Sequence, residues 1–245
     1  YSQSNIDQWL NSQAASWYSA RHSYDAPPNN ANVWSNYNEY DTEAGFLSNF
    51  ESDFRKAILD AVIRVAKNTV TDGGGYEDIT RKVFLLSNTE VGLSNENSVA
   101  EGTLWSYFSS AARRQCYPTA EANSEYTSSS LNASSYWYWW LRTPNASYAH
   151  LARNVSAGGS LDNVRAYLGH HGVRPALYLE SGNLVSDSAD TDGAYILQWN
   201  QPPSDPSSIS YGTPQAGNSL VLSTGGSTDP EGDAISYVWE RKIDS

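Results

Sequence analysis

The stretch "RTPNASYAHLARNVSAGGSLDNVRAYLGHHGVRPALYL", Arg142 to Leu179, interleaves two kinds of residue. Arg142, Pro144, Ala149, Val155, Gly158, Gly172, Val173, Arg174, Pro175 and Ala176 form a frame, in which both arginines read as structural. Between them lies a scatter of Asn, Tyr, His, Arg and Asp that follows no core pattern. Alternate side chains of a strand point to opposite faces. In "AHLARNVS" that puts Ala149, Leu151, Arg153 and Val155 on one face and His150, Ala152, Asn154 and Ser156 on the other. In "NVRAYL", Val164, Ala166 and Leu168 oppose Asn163, Arg165 and Tyr167. One face is thus expected to be largely apolar and the other polar and aromatic. The expected recognition face comprises Asn145, Tyr148, His150, Asn154, Asn163, Arg165, Tyr167, His170 and His171.

Around this stretch, "YWYWWLRT", "VRPALYLE" and "AYILQW" read as further short strands separated by Gly- or Asn-bearing turns, the pattern of antiparallel hairpins. Upstream, "SNIDQWLNS" predicts a helix capped by Ser4, with Asp7 in the capping-box position and Ile6, Trp9 and Leu10 on one face. Residues 21–45 read as a long ordered loop. Phe50, Phe54, Ala57 and Ile58 recur at helical spacing, and "AVIRVAK" after them alternates as a strand would. "TDGGGYED" reads as a connector and "KVFLLS" as a buried strand. "NTEVGL" suggests one helical turn. "GTLWSYFSSAARRQ" predicts a helix with Leu104, Tyr107, Phe108 and Ala111 on one face, and "EANSEYTSSSLNASS" a polar loop.

Composition excludes several functions. The net charge of −12 opposes a phosphate-backbone partner, so no nucleic acid is expected, and it fits anionic lipid poorly. No apolar run approaches the roughly 18 residues of a membrane span, so no insertion is expected. The single cysteine, Cys116, rules out an intramolecular disulfide and reads as a small buried hydrophobe. The chain holds no Met, even at position 1, and is read as a fragment or processed product. Its 9 Trp and 17 Tyr, in a background of Ser, Asn and Gly, match the palette of recognition surfaces.

Taken in order, "SNIDQWLNS", "GFLSNF", "KVFLLSNTEVGL", "WWLRTP", "GGS" and "GVRPALYL" resemble an uncharacterised family of phages and Gram-positive bacteria. The resemblance implies an α+β, C-type-lectin-like fold related to the formylglycine-generating enzymes, with two or more short helices and a small twisted antiparallel sheet. It spans residues 1–199. "NQPPSDPSS" (200–208) reads as a Pro/Ser linker, and 209–245 resemble the first strands of a fibronectin type III domain, a partial β-sandwich.

The fold hosts enzymes and binding proteins alike, so function rests on residues. The copper chemistry of the formylglycine-generating relatives needs a cysteine pair, which is missing. Adjacent His170 and His171 are poorly disposed to share a metal, and the calcium motifs of sugar-binding lectins do not occur. "DSADTDG" and "DPEGD" are acidic clusters in which the register of a calcium loop fails or a turn suffices. No cofactor, metal or catalytic residue is assigned, and the chain reads as no enzyme.

The reading is a non-catalytic binding module of a phage tail or bacterial surface protein, on the virion or outside the cell, which recognises a cell-surface glycan or protein. Self-association within a larger assembly is left open. Lectin-like folds of this kind also serve as variable proteins of diversity-generating retroelements, whose mutagenised positions favour the same residue palette. A structural assembly domain is the alternative, and an enzyme of unknown class on the same fold stands behind it.

Overall fold

A computed structural model describes residues 1–22, 25–34, 39–125 and 131–179. Beyond these it describes 184–186, 188–189, 195, 197–198, 208–211, 222–228 and 235. The chain divides into two compact units, Tyr1–Glu180 and Ser181–Ser245. Its class is α+β: short helices with small antiparallel sheets.

In the first unit, α1 (Asn5–Leu10) begins at Ser4, whose Oγ accepts the Asp7 N–H at 3.4 Å. The Ser4 cap is the one the sequence predicts, but the box does not close on Ser4: the Ser4 N–H donates to Tyr1 O at 2.9 Å. Asp7 accepts the Gln3 N–H at 2.8 Å and is buried in a bidentate pair with Arg81, both contacts 2.7 Å. A 3-10 turn, Phe46–Asn49, precedes α2 (Ser52–Ala57). The alternating tail becomes β1 (Ala61–Ala66), paired antiparallel with β2 (Tyr76–Arg81). The expected connector is therefore only a turn, for Tyr76, Glu77 and Asp78 already belong to a strand. Arg64 pairs with its cross-strand partner Asp78 and covers the Tyr76 ring. A polar edge strand of this kind offers no apolar alternation to read.

β3 (Val83–Leu85) and β4 (Trp139–Pro144) lie between two cores. Their alternate side chains explain how. Phe84, Trp139 and Leu141 join Ile63, Val65, Val91, Phe108 and Val155 in the first core. Val83, Leu85 and Trp140 join Leu10, Leu47 and Ile58 in the second, flanked by Phe46, Phe50 and Phe54. A strand buried on both faces reads as a continuous apolar run, as "KVFLLS" and "WYWWL" do. β3 pairs with β7 (Pro175–Leu177), and β4 pairs with β5 (Leu151–Val155), which pairs with β6 (Leu161–Arg165).

Between β3 and β4 the expected helix is broken into a 3-10 turn (Ser106–Phe108) and α3 (Ala111–Arg114). The proposed apolar face does not exist. Phe108 is buried, but Leu104 and Tyr107 are half exposed. Trp105 takes the inward place by packing on the first core, and its N–H donates to Glu90 O at 2.9 Å. α4 (Ala120–Glu125) takes up the first five residues of the stretch expected to be a loop. Cys116 is free and packs against the first core.

In the second unit β8 (Leu184–Val185) pairs with β9 (Leu197–Gln198), and β10 (Ser208–Tyr211) with β11 (Leu222–Gly225). Most of the linker, of the two acidic clusters and of "AISYVWE" lies outside the described residues.

Candidate ligand-binding face

Everything at the open end of the β4–β5–β6 sheet depends on how two turns are pinned. After β4, the Asn145 side-chain oxygen accepts the Ser147 N–H at 3.0 Å, and the Asn145 N–H donates to Leu151 O at 3.1 Å. Asn68 donates to the Asn145 carbonyl from below, and the Glu96 carboxylate accepts the Ala146 N–H at 3.0 Å. A turn held this way from the inside presents its remaining side chains outward. Tyr148 is 57% exposed, and its ring meets that of exposed His150 at 6.2 Å.

The second turn follows β6. Ala166 N–H donates to His150 O at 3.0 Å, which extends the β5–β6 ladder, and Leu168 N–H donates to Arg165 O at 3.0 Å. Arg165 and Tyr167 (47% exposed) project from this turn. Trp34, from the long loop, joins them: its N–H donates to Tyr167 O at 3.4 Å and its ring lies 6.2 Å from His170, edge to face. Trp34 is 53% exposed. His170 is half-buried, and its carbonyl accepts the Trp137 indole N–H at 2.6 Å. Burial lowers its pKa.

Tyr148, His150, Arg165, Tyr167 and His170 thus share one end of the sheet. The other four expected residues do not join them. Asn145 is 6% exposed and is the pin of the first turn. Asn163 is half-buried within the same support, accepting from the Asn145 amide at 3.5 Å. Asn154 is fully buried, and the register explains why: it sits opposite Trp140, on the face that carries Ala152 and Val164 into the second core. The register also places Arg153 opposite Asn163, so Asn163 and Arg165 share the Leu151–Arg153–Val155 face, and Asn154 points the other way. The expected grouping of these three on one face is corrected accordingly.

His171, 6% exposed, is the fourth. Its segment lies along the other edge of β4, where Trp140 N–H donates to Gly172 O at 2.9 Å. The imidazole stacks on Trp140 with ring centroids 4.6 Å apart, and Tyr138 packs at 5.2 Å. Burial, with a smaller contribution from His170, holds its pKa down at about 3, so the ring is neutral in ordinary buffers. Neither of its nitrogens finds a partner among the described residues, and the Asn154 amide is likewise unpaired. Such groups each cost about 1–3 kcal/mol.

Two other clusters differ from this face in a telling way. The Arg142 guanidinium, fully buried, uses every N–H: Nε on Arg64 O, Nη1 on Leu85 O and Glu90 Oε2, Nη2 on Glu90 Oε1 and Glu101 O. Glu101 beside it accepts from Ala66 N–H and the Thr143 hydroxyl, and burial raises its pKa despite them. Arg174 lies over the Phe108 and Trp139 rings at 5.0 and 5.1 Å, and its buried Nη1 has no hydrogen-bond partner among the described residues. The Arg142 cluster is a structural centre, in line with the frame reading of that arginine.

A cleft of about 660 Å3 beside α1, lined by Gln3, Gln8, Trp17, Arg21, Thr80 and Arg81 among others, has a floor bonded to itself. Gln8 binds Gln3 O and Ser19, and Arg81 binds Asp7 and Thr80 O. On the sheet end, by contrast, the Tyr148 and Tyr167 hydroxyls, the Arg165 guanidinium and the His150 ring nitrogens make no hydrogen bond to a described residue. Sequence reasoning missed Trp34, whose signal, an isolated Trp in a polar loop, carries no periodicity.

Among the described residues, no group of three or more His, Cys, Asp or Glu is placed to hold a metal ion, and no helix is long and apolar enough to cross a membrane. No curated protein and no solved structure matches the sequence. Residues 1–181, which take in the described part of the first unit with both cores and the whole sheet end, match the model of the family described as a domain of unknown function, DUF6273, and the chain belongs to that family.

Proposed function

We propose that the first unit is a non-catalytic recognition module with a C-type-lectin-like fold. In this reading it is carried on a phage tail or bacterial surface protein and binds a cell-surface glycan or protein. The ligand meets Trp34, Tyr148, His150, Arg165, Tyr167 and His170. One observation carries the reading. The exposed Tyr148, His150 and Tyr167, whose polar tips bond no described residue, coincide at one end of a sheet whose turns are pinned from inside. Rigid amphipathic rings give contact area at low entropic cost, and their hydroxyls supply adaptable hydrogen bonds. The short helices and small antiparallel sheets agree with the fold in general outline. In the same reading, the residues after the Pro/Ser linker are a fibronectin-like spacer.

The test is attachment of the labelled chain to bacterial cells, with Trp34→Ala, Tyr148→Ala, Arg165→Ala and Tyr167→Ala made singly and together. Each exposed ring is expected to cost severalfold in affinity and the quadruple variant to abolish attachment, while urea transitions stay within about 0.5 kcal/mol of the parent. Undiminished attachment by the quadruple variant rejects the face. A change of oligomeric state in place of attachment favours the assembly reading.

A further inference from the structure

We infer that the ligand of this face is a saccharide ending in a single anionic group, carboxylate or phosphate, that pairs with Arg165. The inference rests on the binding reading above and adds the chemical class of the ligand.

Arg64, Arg81, Arg142 and Arg153 each hold a carboxylate: Asp78, Asp7, Glu90 and Glu96. Arg55 and Arg114 donate to backbone carbonyls, and Arg113 and Arg174 lie over aromatic rings. Arg165, on the same sheet face as Arg153, is exposed, and its cross-strand partner is apolar Leu151. It makes no hydrogen bond or ion pair to a described residue. The Glu96 carboxylate, which pairs with Arg153 on this sheet face, is already committed to that arginine and to Ala146 N–H. Asp162 points to the opposite face, opposite Asn154. Among the described residues the face therefore presents a cation with no internal counter-charge, in a chain whose net charge is −12.

Trp34, Tyr148 and Tyr167 set the rest of the ligand's chemistry. Exposed rings, two of them with tyrosine hydroxyls that bond no described residue, suit a partner that has an apolar C–H face and hydroxyls at its edge, which is what a pyranose offers. The charge balance then limits the number of acid groups. At physiological salt an exposed charge is screened beyond about 8 Å, so one anion seated on Arg165 feels that guanidinium far more than the distant carboxylates. A polyanion would bring further negative charges to a chain whose net charge is −12 and be repelled. The fit is to one terminal acid.

The experiment applies the full chain to a glycan array. The array carries lactose with sialyllactose, a mannose terminus with its phosphorylated counterpart, and heparin as a polyanion. The acidic member of at least one pair is expected to bind about two- to fivefold more strongly than its neutral partner. Which pair responds distinguishes carboxylate from phosphate. Arg165→Gln should erase that preference, so that the acidic and neutral members of the pair give equal signals, and raising salt from about 0.05 M to about 0.5 M should do the same. Equal binding of acidic and neutral members overturns the inference and leaves the binding face standing. A preference kept by Arg165→Gln, or heparin outscoring both pairs, overturns it as well. Silence on every glycan rejects the saccharide class, and attachment to cells then decides separately whether the face binds at all.

Discussion

Arg142 shows how much one buried side chain can organise. Its guanidinium ties β1 through Arg64 O, β3 through Leu85 O and the segment after β3 through Glu90 and Glu101 O. Removing one partner of a buried ion pair leaves the other charge uncompensated, which costs about 3–5 kcal/mol. Arg142→Met is therefore expected to lower the urea-unfolding free energy by about that amount, and adding Glu90→Leu should recover part of it. A loss under about 1 kcal/mol for Arg142→Met would contradict the network. The structural role of Arg142 was legible in the sequence, as a member of the frame. Its partners were not, because Glu90 and Glu101 lie 52 and 41 residues away and nothing local marks them. His171 offers a second test. Its folded pKa of about 3 lies below the ordinary imidazole value of 6.5, so the folded ring stays neutral while the unfolded chain takes up a proton. The stability it confers is full above pH 6.5 and is lost as pH falls towards 3, at up to about 1.4 kcal/mol per pH unit. His171→Phe, which keeps a ring on Trp140, should flatten the stability–pH curve in that window. Glu101, with its raised pKa, acts with the opposite sign: it favours folding at low pH and loses that contribution as pH rises through its folded value. The comparison of His171→Phe with the parent isolates the imidazole. An unchanged slope would mean that the ring protonates in the folded state.

The β5–β6 hairpin is the element on which the candidate face depends, and its turn tests the packing beneath it. Gly159 has φ +81°, and a Cβ there would fall 2.1 Å from Ala111 O, while its carbonyl accepts from Arg114 Nε at 2.7 Å. Gly158, one residue earlier, would meet only Ser156 Oγ at 3.8 Å. Gly159→Ala should accordingly destabilise by at least about 1–3 kcal/mol through backbone strain, with the clash added, whereas Gly158→Ala should stay within about 0.5 kcal/mol. Equal melting temperatures for the two variants would contradict the docking of this turn on α3. The sequence marked Gly158 as frame and passed over Gly159, because the demand comes from Ala111, distant in the chain. The same limit explains the strand faces. Alternation was legible in "AHLARNVS" and "NVRAYL", but register was not. It is register that sends Asn154 inward to Trp140 and puts Asn163 beside Arg153. A helix was legible in Ser4–Leu10 because its cap and its apolar positions are local. "GTLWSYFSSAARRQ" misled because half-buried Trp105, not Leu104 or Tyr107, packs beside buried Phe108 on the first core.

At the scale of the whole molecule, the two cores and the candidate face all lie within Tyr1–Glu180. The last elements of that unit close it. β7 covers β3, with Phe84 opposite Ala176 and Val83 opposite Leu177, and Leu179 forms a bridge with Ile58 at the end of α2. Leu177 and Leu179 also pack on the second core. A chain ending at Glu180 keeps every one of these contacts. It is expected to unfold in a single cooperative transition, with a midpoint within a few degrees of that shown by the first unit in the full chain. It should also retain the attachment and glycan preference of the full chain. A chain ending at Gly172 keeps all the exposed residues of the face, yet it lacks β7 and Leu179, so one edge of β3 and one side of the second core lose their cover. That chain should show no cooperative transition and no binding. The pair of truncations separates two ways of placing function in this molecule. If the chain ending at Glu180 folds but fails to bind, the face needs residues beyond the first unit and the assignment to the β4–β5–β6 end is incomplete. If the chain ending at Gly172 binds as the full chain does, the face is a property of local hairpins, and the cores beneath it are not what holds its side chains in place.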